Sequence, residues 1–291
     1  MIERFILGSA QFGQSYGISS SRAIVNSKDV ARILDAAYSL GIRFIDTAPG
    51  YGESELLLGQ SDVKRFSVIT KLPKVPNQIQ DVEAWVRETL SQSLGKLKIA
   101  AAHAVLIHDA DQAMGDIGEA LCNALLSLKS EGMTEKIGVS VYSRMQADTL
   151  TRRYPLDIIQ APNNPLDHRF SQTAWRENLG KLKPDLHIRS IFLQGLLLMD
   201  ESEQCNLFPE WKSLWHEWAA WLAATHQSAV GACVRHAATQ RHVAGIVVGV
   251  ESEFQLQELV VELDEESLQL PNRFSTEGLA LINPNSWRQR S

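Results

Sequence analysis

Five short apolar runs in this 291-residue chain end in a polar side chain. They are Phe44-Ile45-Asp46, Val68-Ile69-Thr70-Lys71, Val105-Leu106-Ile107-His108, Ile137-Gly138-Val139-Ser140 and Ile158-Ile159-Gln160, and Tyr51 follows Asp46 in a glycine-rich loop. An ionisable group at the end of a hydrophobic run is costly unless it is paired. Here three successive runs end in a carboxylate, an ammonium and an imidazole, the groups of acid–base chemistry. They can pair with one another if the runs lie side by side. Taken singly, each has a plainer reading. Asp46 would be a strand-end cap or a structural ion pair, Lys71 a solvated strand end, His108 a hydrogen-bonded core histidine, and Tyr51 a residue that packs its loop.

The elements that must position these side chains alternate along the whole chain. The remaining apolar runs are Phe5-Ile6-Leu7-Gly8, Ile188-Arg189-Ser190-Ile191-Phe192 and Gly245-Ile246-Val247-Val248-Gly249, which makes eight. Most are continuously apolar, as parallel strands buried on both faces require. Between them lie helical patterns. Ser27 is placed to cap a helix whose Val30, Ile33, Leu34 and Ala37 share one face, ended by Gly41. Val82, Trp85, Val86 and Leu90 repeat the spacing, as do Ile117, Leu121, Ala124, Leu125 and Leu128. No linker or composition shift divides the chain. The expectation is an α/β fold over residues 1–291, a single-domain (β/α)8 TIM barrel with a C-terminal tail over about 271–291. A doubly wound sheet is the alternative, but the dinucleotide glycine fingerprint after the first strand is missing. In a barrel the chemistry belongs at the C-terminal strand ends, where the five polar residues fall.

Composition narrows the function classes. The chain is 44% apolar and 21% charged, with 28 basic against 34 acidic residues, a net charge of −6. That balance argues against nucleic acid as a partner. The apolar stretches fall short of the roughly 20 residues of a membrane helix, so no membrane partner is expected. Cys122, Cys205 and Cys233 are too few and scattered for a disulfide framework, and no secretory leader is evident, so a cytoplasmic location is expected. Cys233 and His236 have metal-ligand spacing but no second pair accompanies them, so no metal is expected.

The segment Phe44-Ile45-Asp46-Thr47-Ala48-Pro49-Gly50-Tyr51-Gly52-Glu53-Ser54-Glu55, followed by Gly59, resembles the signature of the aldo-keto reductase superfamily. Ile69-Thr70-Lys71, Leu106-Ile107-His108, Ile137-Gly138-Val139-Ser140, Ile159-Gln160 and Gln194-Gly195-Leu196-Leu197 match further motifs in family order. The resemblance implies a nicotinamide-dependent oxidoreductase that reduces an aldehyde or ketone, or runs the reverse, with a catalytic tetrad of Tyr51, Lys71, Asp46 and His108. Reduction of a carbonyl builds negative charge on oxygen and needs a proton donor. A phenol is a weak acid at neutral pH, with a pKa near 10. A neighbouring Lys71 ammonium would lower it, Asp46 would hold that ammonium, and His108 would orient the carbonyl or share the proton.

The same resemblance implies a cofactor groove contacted by Ser140, Gln160, Arg189, Gly195, Gly249, Glu251, Ser252 and Gln255. Four positions depart from the family pattern, one of them Leu259, which stands where a later Asn is usual. Val141 stands where Asn is common, which removes a polar contact. Arg189 aligns with the aromatic that stacks on the nicotinamide; it either stacks as a planar guanidinium or pairs with a carboxylate or an anionic substrate group. Glu251 stands where a Lys or Arg usually grips the 2′-phosphate, so NADP(H) and NAD(H) both stay open, with Arg235 or Arg241 available to supply the missing charge.

A small carbonyl compound, sugar-like by resemblance to a bacterial subgroup, is the expected substrate. Asn163, Asn164, His168 and Arg169 either meet such a substrate or form a hydrogen-bonded loop. Trp211, Trp215, Trp218 and Trp221 fall at helical spacing and read as a packed face rather than a sugar platform. The tail after Pro271, with Trp287, either covers the barrel mouth or packs on its side. Two other functions remain open: a cofactor-sensing protein of the same fold with little turnover, and redox-neutral chemistry on a sugar.

Overall fold

The computed structural model describes residues 1–18, 24–171, 175, 179, 183–263, 274–276 and 278–289. Eight parallel strands close in chain order into a barrel. They are β1 (Phe5–Gly8), β2 (Phe44–Asp46), β3 (Ser67–Leu72), β4 (Ala102–Ile107), β5 (Thr134–Ser140), β6 (Ile158–Pro162), β7 (Asp185–Arg189) and β8 (Gly245–Gly249). β8 returns to β1 with Phe5 opposite Ile246 and Gly8 opposite Gly249, so the sheet has no free edge. The chain therefore adopts the (β/α)8 barrel that its alternating runs imply.

Around the strands lie α1 (Ser27–Ser39), α2 (Ser54–Gln60), α3 (Val82–Leu97), α4 (Gly118–Ser130), α5 (Arg144–Arg153), α6 (Lys212–Ala224), α7 (Ala229–Thr239) and α8 (Glu253–Val261), with shorter turns between them. α1 buries Val30, Ile33, Leu34 and Ala37, the face its spacing defines. Its cap is Asn26 rather than Ser27, because the Asn26 side chain accepts from Lys28 N and Asp29 N. Ile6, Ile69, Ala104, Leu106 and Ile158 fill the barrel interior, while the larger core lies between the strands and helices. Apolar burial on both faces is why the strand sequences lack alternation.

One strand differs from expectation in a way that matters for the site. The run expected over Ile188–Phe192 forms its strand three residues earlier, at Asp185–Arg189. Ser190 takes φ 60°, which ends the strand. Arg189 is thereby the last strand residue, at the barrel mouth.

A second core explains the tryptophans. Trp215, Trp218 and Trp221 of α6 are buried against Phe208, Phe274, Leu281, Ile282 and Trp287. Trp218 and Trp221 stack at 5.5 Å, and Phe274 meets both rings edge-on. The stripe is a packed helix face, and the described part of the tail is what packs on it. Leu193, Leu196 and Leu197, in the segment after β7, join the same cluster. Pro271 itself lies outside the described residues.

Candidate active site

Asp46 and Lys71 meet at the ends of β2 and β3 as a buried ion pair, 3% and 1% exposed. Lys71 Nζ also donates to Thr47 O at 3.0 Å. The other Asp46 oxygen accepts from Gln160 Nε2 at 2.7 Å. One carboxylate thus ties together three strand ends far apart in sequence. Both its oxygens are engaged, which offsets the cost of burying the charge.

Tyr51 stands over this pair, with Lys71 Nζ 5.0 Å from its ring centroid. The His108 ring lies edge-on to it at 6.1 Å and 88°. Two glycines hold the loop in place. A Cβ on Gly13 would lie 1.8 Å from Tyr51 O and 2.4 Å from Ser54 N, and one on Gly52 would lie 2.2 Å from Gly13 O. Gly52 also takes φ 59°, a conformation that favours glycine. Behind the loop, Ser9 Oγ donates to Asp46 O at 3.0 Å and Ser54 Oγ donates to Ser9 Oγ at 2.7 Å. The backbone carrying Asp46 and the start of α2 are therefore cross-braced.

The electrostatics differ from expectation at Tyr51. Burial pushes its phenol pKa well up, and the nearby Asp46 carboxylate adds to the rise. The expected net depression of this phenol is not what the structure gives; the cation that opposes the rise is Arg189. Burial likewise holds Lys71 below its ordinary pKa, with Asp46 opposing. His108 is lowered to about 4 by burial, with Lys71 and Arg189 adding to the effect, so its imidazole is neutral at pH 7.

A cavity of ≈ 410 Å³ opens over Asp46 and Tyr51 and runs past β1 to the loop after β8. Arg189, Gly195, Gly249, Glu251 and Gln255 line it with them. Ser140, Lys71, Gln160, His108 and Ser252 are not among the residues that line it. Ser140 Oγ accepts from Arg189 Nε at 3.3 Å, and Ser252 caps α8 by accepting from Gln255 N. Gln255 Oε1 in turn accepts from Glu251 N at 2.7 Å. Gln160 keeps a buried carbonyl oxygen, Oε1, with no partner. Its amide orientation is set by Asp46, so that orphaned acceptor fits the amide N–H of a nicotinamide carboxamide. The cavity and this acceptor suit an extended cofactor.

Several expected groups lie elsewhere. Asn164 Oδ1 accepts from Leu166 N and Asp167 N, Arg169 pairs with Asp167, and Asn163 bonds His236 and Ser171. His168 stacks on His236 at 4.8 Å. These four form a hydrogen-bonded loop and none lines the cavity. Arg235 is paired with Glu262 at 2.8 Å. Conversely, sequence reasoning passed over Tyr16, Tyr142, Gly13 and Glu258. Tyr16 lines the cavity from a loop with no periodicity, and its phenol is pushed up to about 12 by burial. The Gly13 contact pairs residues 38 and more positions from their partners, which no local pattern reveals.

The aldo/keto reductase family model matches residues 4–269. The chain is 25% identical over 284 residues to L-galactose dehydrogenase of Arabidopsis thaliana, covering 89% of this chain and 86% of that protein. It is 28% identical over 151 residues to D-arabinose 1-dehydrogenase of Saccharomyces cerevisiae, covering 48% and 43%. Among solved structures, a glycerol dehydrogenase of Gluconobacter oxydans superposes with TM-score 0.69 at 21% identity, over 97% of this chain and 93% of that one. The holo form of an aldo-keto reductase from Bacillus halodurans gives 0.68 at 19%, over 93% and 89%. The chain belongs to the aldo/keto reductase family and is a nicotinamide-dependent oxidoreductase. Among the described residues, no helix is long and apolar enough to cross a membrane.

Proposed function

We propose that the protein interconverts the carbonyl and alcohol forms of a small polyhydroxylated substrate, with Tyr51 as proton donor and NAD(H) as cofactor. The observation that carries this reading is the Asp46–Lys71–Gln160 knot beneath Tyr51 at one end of a cavity reaching the β8 loop. A bound reduced nicotinamide supplies hydride to the carbonyl carbon. Tyr51 donates the proton that the carbonyl oxygen then needs, and its raised pKa keeps that proton in place at pH 7. Lys71, held by Asp46 with its Nζ 5.0 Å from the Tyr51 ring centroid, and Arg189 are the cations nearest the phenolate left behind. Neutral His108 orients the carbonyl. Gln160 Oε1 and Ser140 serve the carboxamide, and Gly195, Gly249, Ser252 and Gln255 the remainder of the cofactor. The sugar and polyol dehydrogenases among the similar proteins support a polyhydroxylated substrate.

The choice of NAD(H) rests on charge. Glu251 and Glu258 line the far end of the cavity, and the one cation among its described lining residues is Arg189, beside Tyr51. A carboxylate repels a 2′-phosphate and accepts from a ribose diol. Arg235 is held by Glu262.

The test is Tyr51→Phe, with turnover of aldoses, polyols and hexuronates followed by NADH absorbance. Loss of the proton donor lowers kcat by roughly 10²–10⁴-fold, with the NADH dissociation constant nearly unchanged. Undiminished turnover in the variant rejects Tyr51 as donor. Tight NADH binding by the unaltered protein with no turnover of any compound points instead to a cofactor sensor.

A further inference from the structure

Arg189 lines the cavity at the end of β7 and is the one cation among the described residues that do so. Its guanidinium lies 4.3 Å from the Tyr142 ring centroid, so one face is covered. Nε donates to Ser140 Oγ at 3.3 Å, one terminal nitrogen to Ser190 Oγ at 3.2 Å and the other to Val141 O at 3.2 Å. All three acceptors are neutral. Among the described residues, the buried Lys71 and Arg235 and the largely covered Arg169 each hold a carboxylate, from Asp46, Glu262 and Asp167. Arg189 holds none. Asp46 shares the cavity with it, but both Asp46 oxygens are taken by Lys71 and Gln160.

A guanidinium carries five N–H donors. Three are used here, which leaves one on each terminal nitrogen. Two donors in a planar fork, carrying an unbalanced charge in a poorly solvated mouth, suit a carboxylate. The phenols of Tyr16, Tyr51 and Tyr142 are grouped around the same charge. Tyr51 is reserved for the reacting carbonyl, and Tyr16, which also lines the cavity, is a second donor for an anion.

We infer that Arg189 receives the carboxylate of the substrate, which makes that substrate an oxo acid, such as the open-chain aldehyde of a hexuronic acid, rather than a neutral sugar. The inference rests on Tyr51 acting on a carbonyl as proposed above. It gives the departure from an aromatic at this position a purpose: the ring contact is exchanged for selection by charge.

The experiment compares kcat/KM with NADH for a hexuronate, its neutral primary amide and a hexose 6-phosphate. The hexuronate is expected to exceed the amide by at least about tenfold, the worth of one charge-assisted contact. In Arg189→Gln that ratio falls toward one through a higher KM for the hexuronate, while NADH affinity, read from tryptophan fluorescence, shifts less than about threefold. Arg189→Lys keeps the charge without the fork and recovers part of the ratio, which guards against a Gln variant that does not fold. Equal turnover of hexuronate and amide by the unaltered protein overturns the inference, as does preference for the phosphate. An Arg189→Gln variant that loses both substrates and NADH together also overturns it, assigning the residue to the cofactor. Absence of turnover on all three compounds with NADH bound overturns the carbonyl reading itself.

Discussion

At the scale of single residues, the site is governed by which charges have partners. Lys71 and Asp46 hold one another as a buried pair, and among the described lining residues the remaining charges are Arg189 at one end and Glu251 and Glu258 at the other. This separation makes cofactor preference a property that one side chain can invert. Glu251→Lys is expected to tighten NADPH relative to NADH by roughly tenfold, about 1.4 kcal/mol, the worth of replacing a repulsive contact by an attractive one at a partly solvated position. Parallel titrations of the two dinucleotides, followed by tryptophan quenching, measure the ratio. An unchanged ratio would mean that position 251 does not face the 2′-phosphate.

Among the elements, the loop between β2 and α2 carries the most geometry per residue. Its backbone touches the turn after β1 so closely that neither Gly13 nor Gly52 has room for a methyl group. Gly13→Ala must move Tyr51 or Ser54, because the new Cβ would stand 1.8 Å from one carbonyl oxygen and 2.4 Å from the neighbouring nitrogen. A displacement near 1 Å of a reacting group costs about 10²-fold in rate. The expected result is a fall in kcat of that order. Gly50→Ala, in the same loop, meets nothing within 4 Å and serves as the comparison. Equal kcat for the two variants would show that the close approach does not position Tyr51.

The whole molecule carries a pH dependence that follows from its buried imidazoles. His108 and His187 are lowered to about 4 and His236 to about 3, in each case chiefly by burial. A histidine whose folded pKa lies below its unfolded value near 6.5 takes up a proton on unfolding. Stability is therefore full above pH 6.5 and is lost as the pH falls toward 4 and then 3. Each histidine contributes a slope of about 1.4 kcal/mol per pH unit within that window. Urea midpoints at pH 8, 6 and 5 should be highest at 8 and drop between 6 and 5. A midpoint that is flat from 8 to 5 contradicts this.

What the amino-acid order determined by itself is the part that local physics repeats. Continuous apolar runs, set apart by helical spacing, imply parallel strands and hence a closed barrel, and the strand-end rule selects Asp46, Lys71, His108, Ser140 and Gln160 before any contact is known. The tryptophan spacing likewise marked a packed face, because burial of one helix stripe is periodic. Tertiary structure alone decided the rest. The end of β7 depended on Ser190 turning to positive φ, the fate of Lys71's charge on its meeting Asp46, and the seat of Tyr51 on two glycines in different loops. Asn163, Asn164, His168 and Arg169 looked available until the fold gave them partners. Arg189 shows the reverse case, a charge with no carboxylate partner among the described residues. Periodicity records which face of an element is buried; it carries no record of what stands opposite, and opposite neighbours are what set charge, space and reactivity.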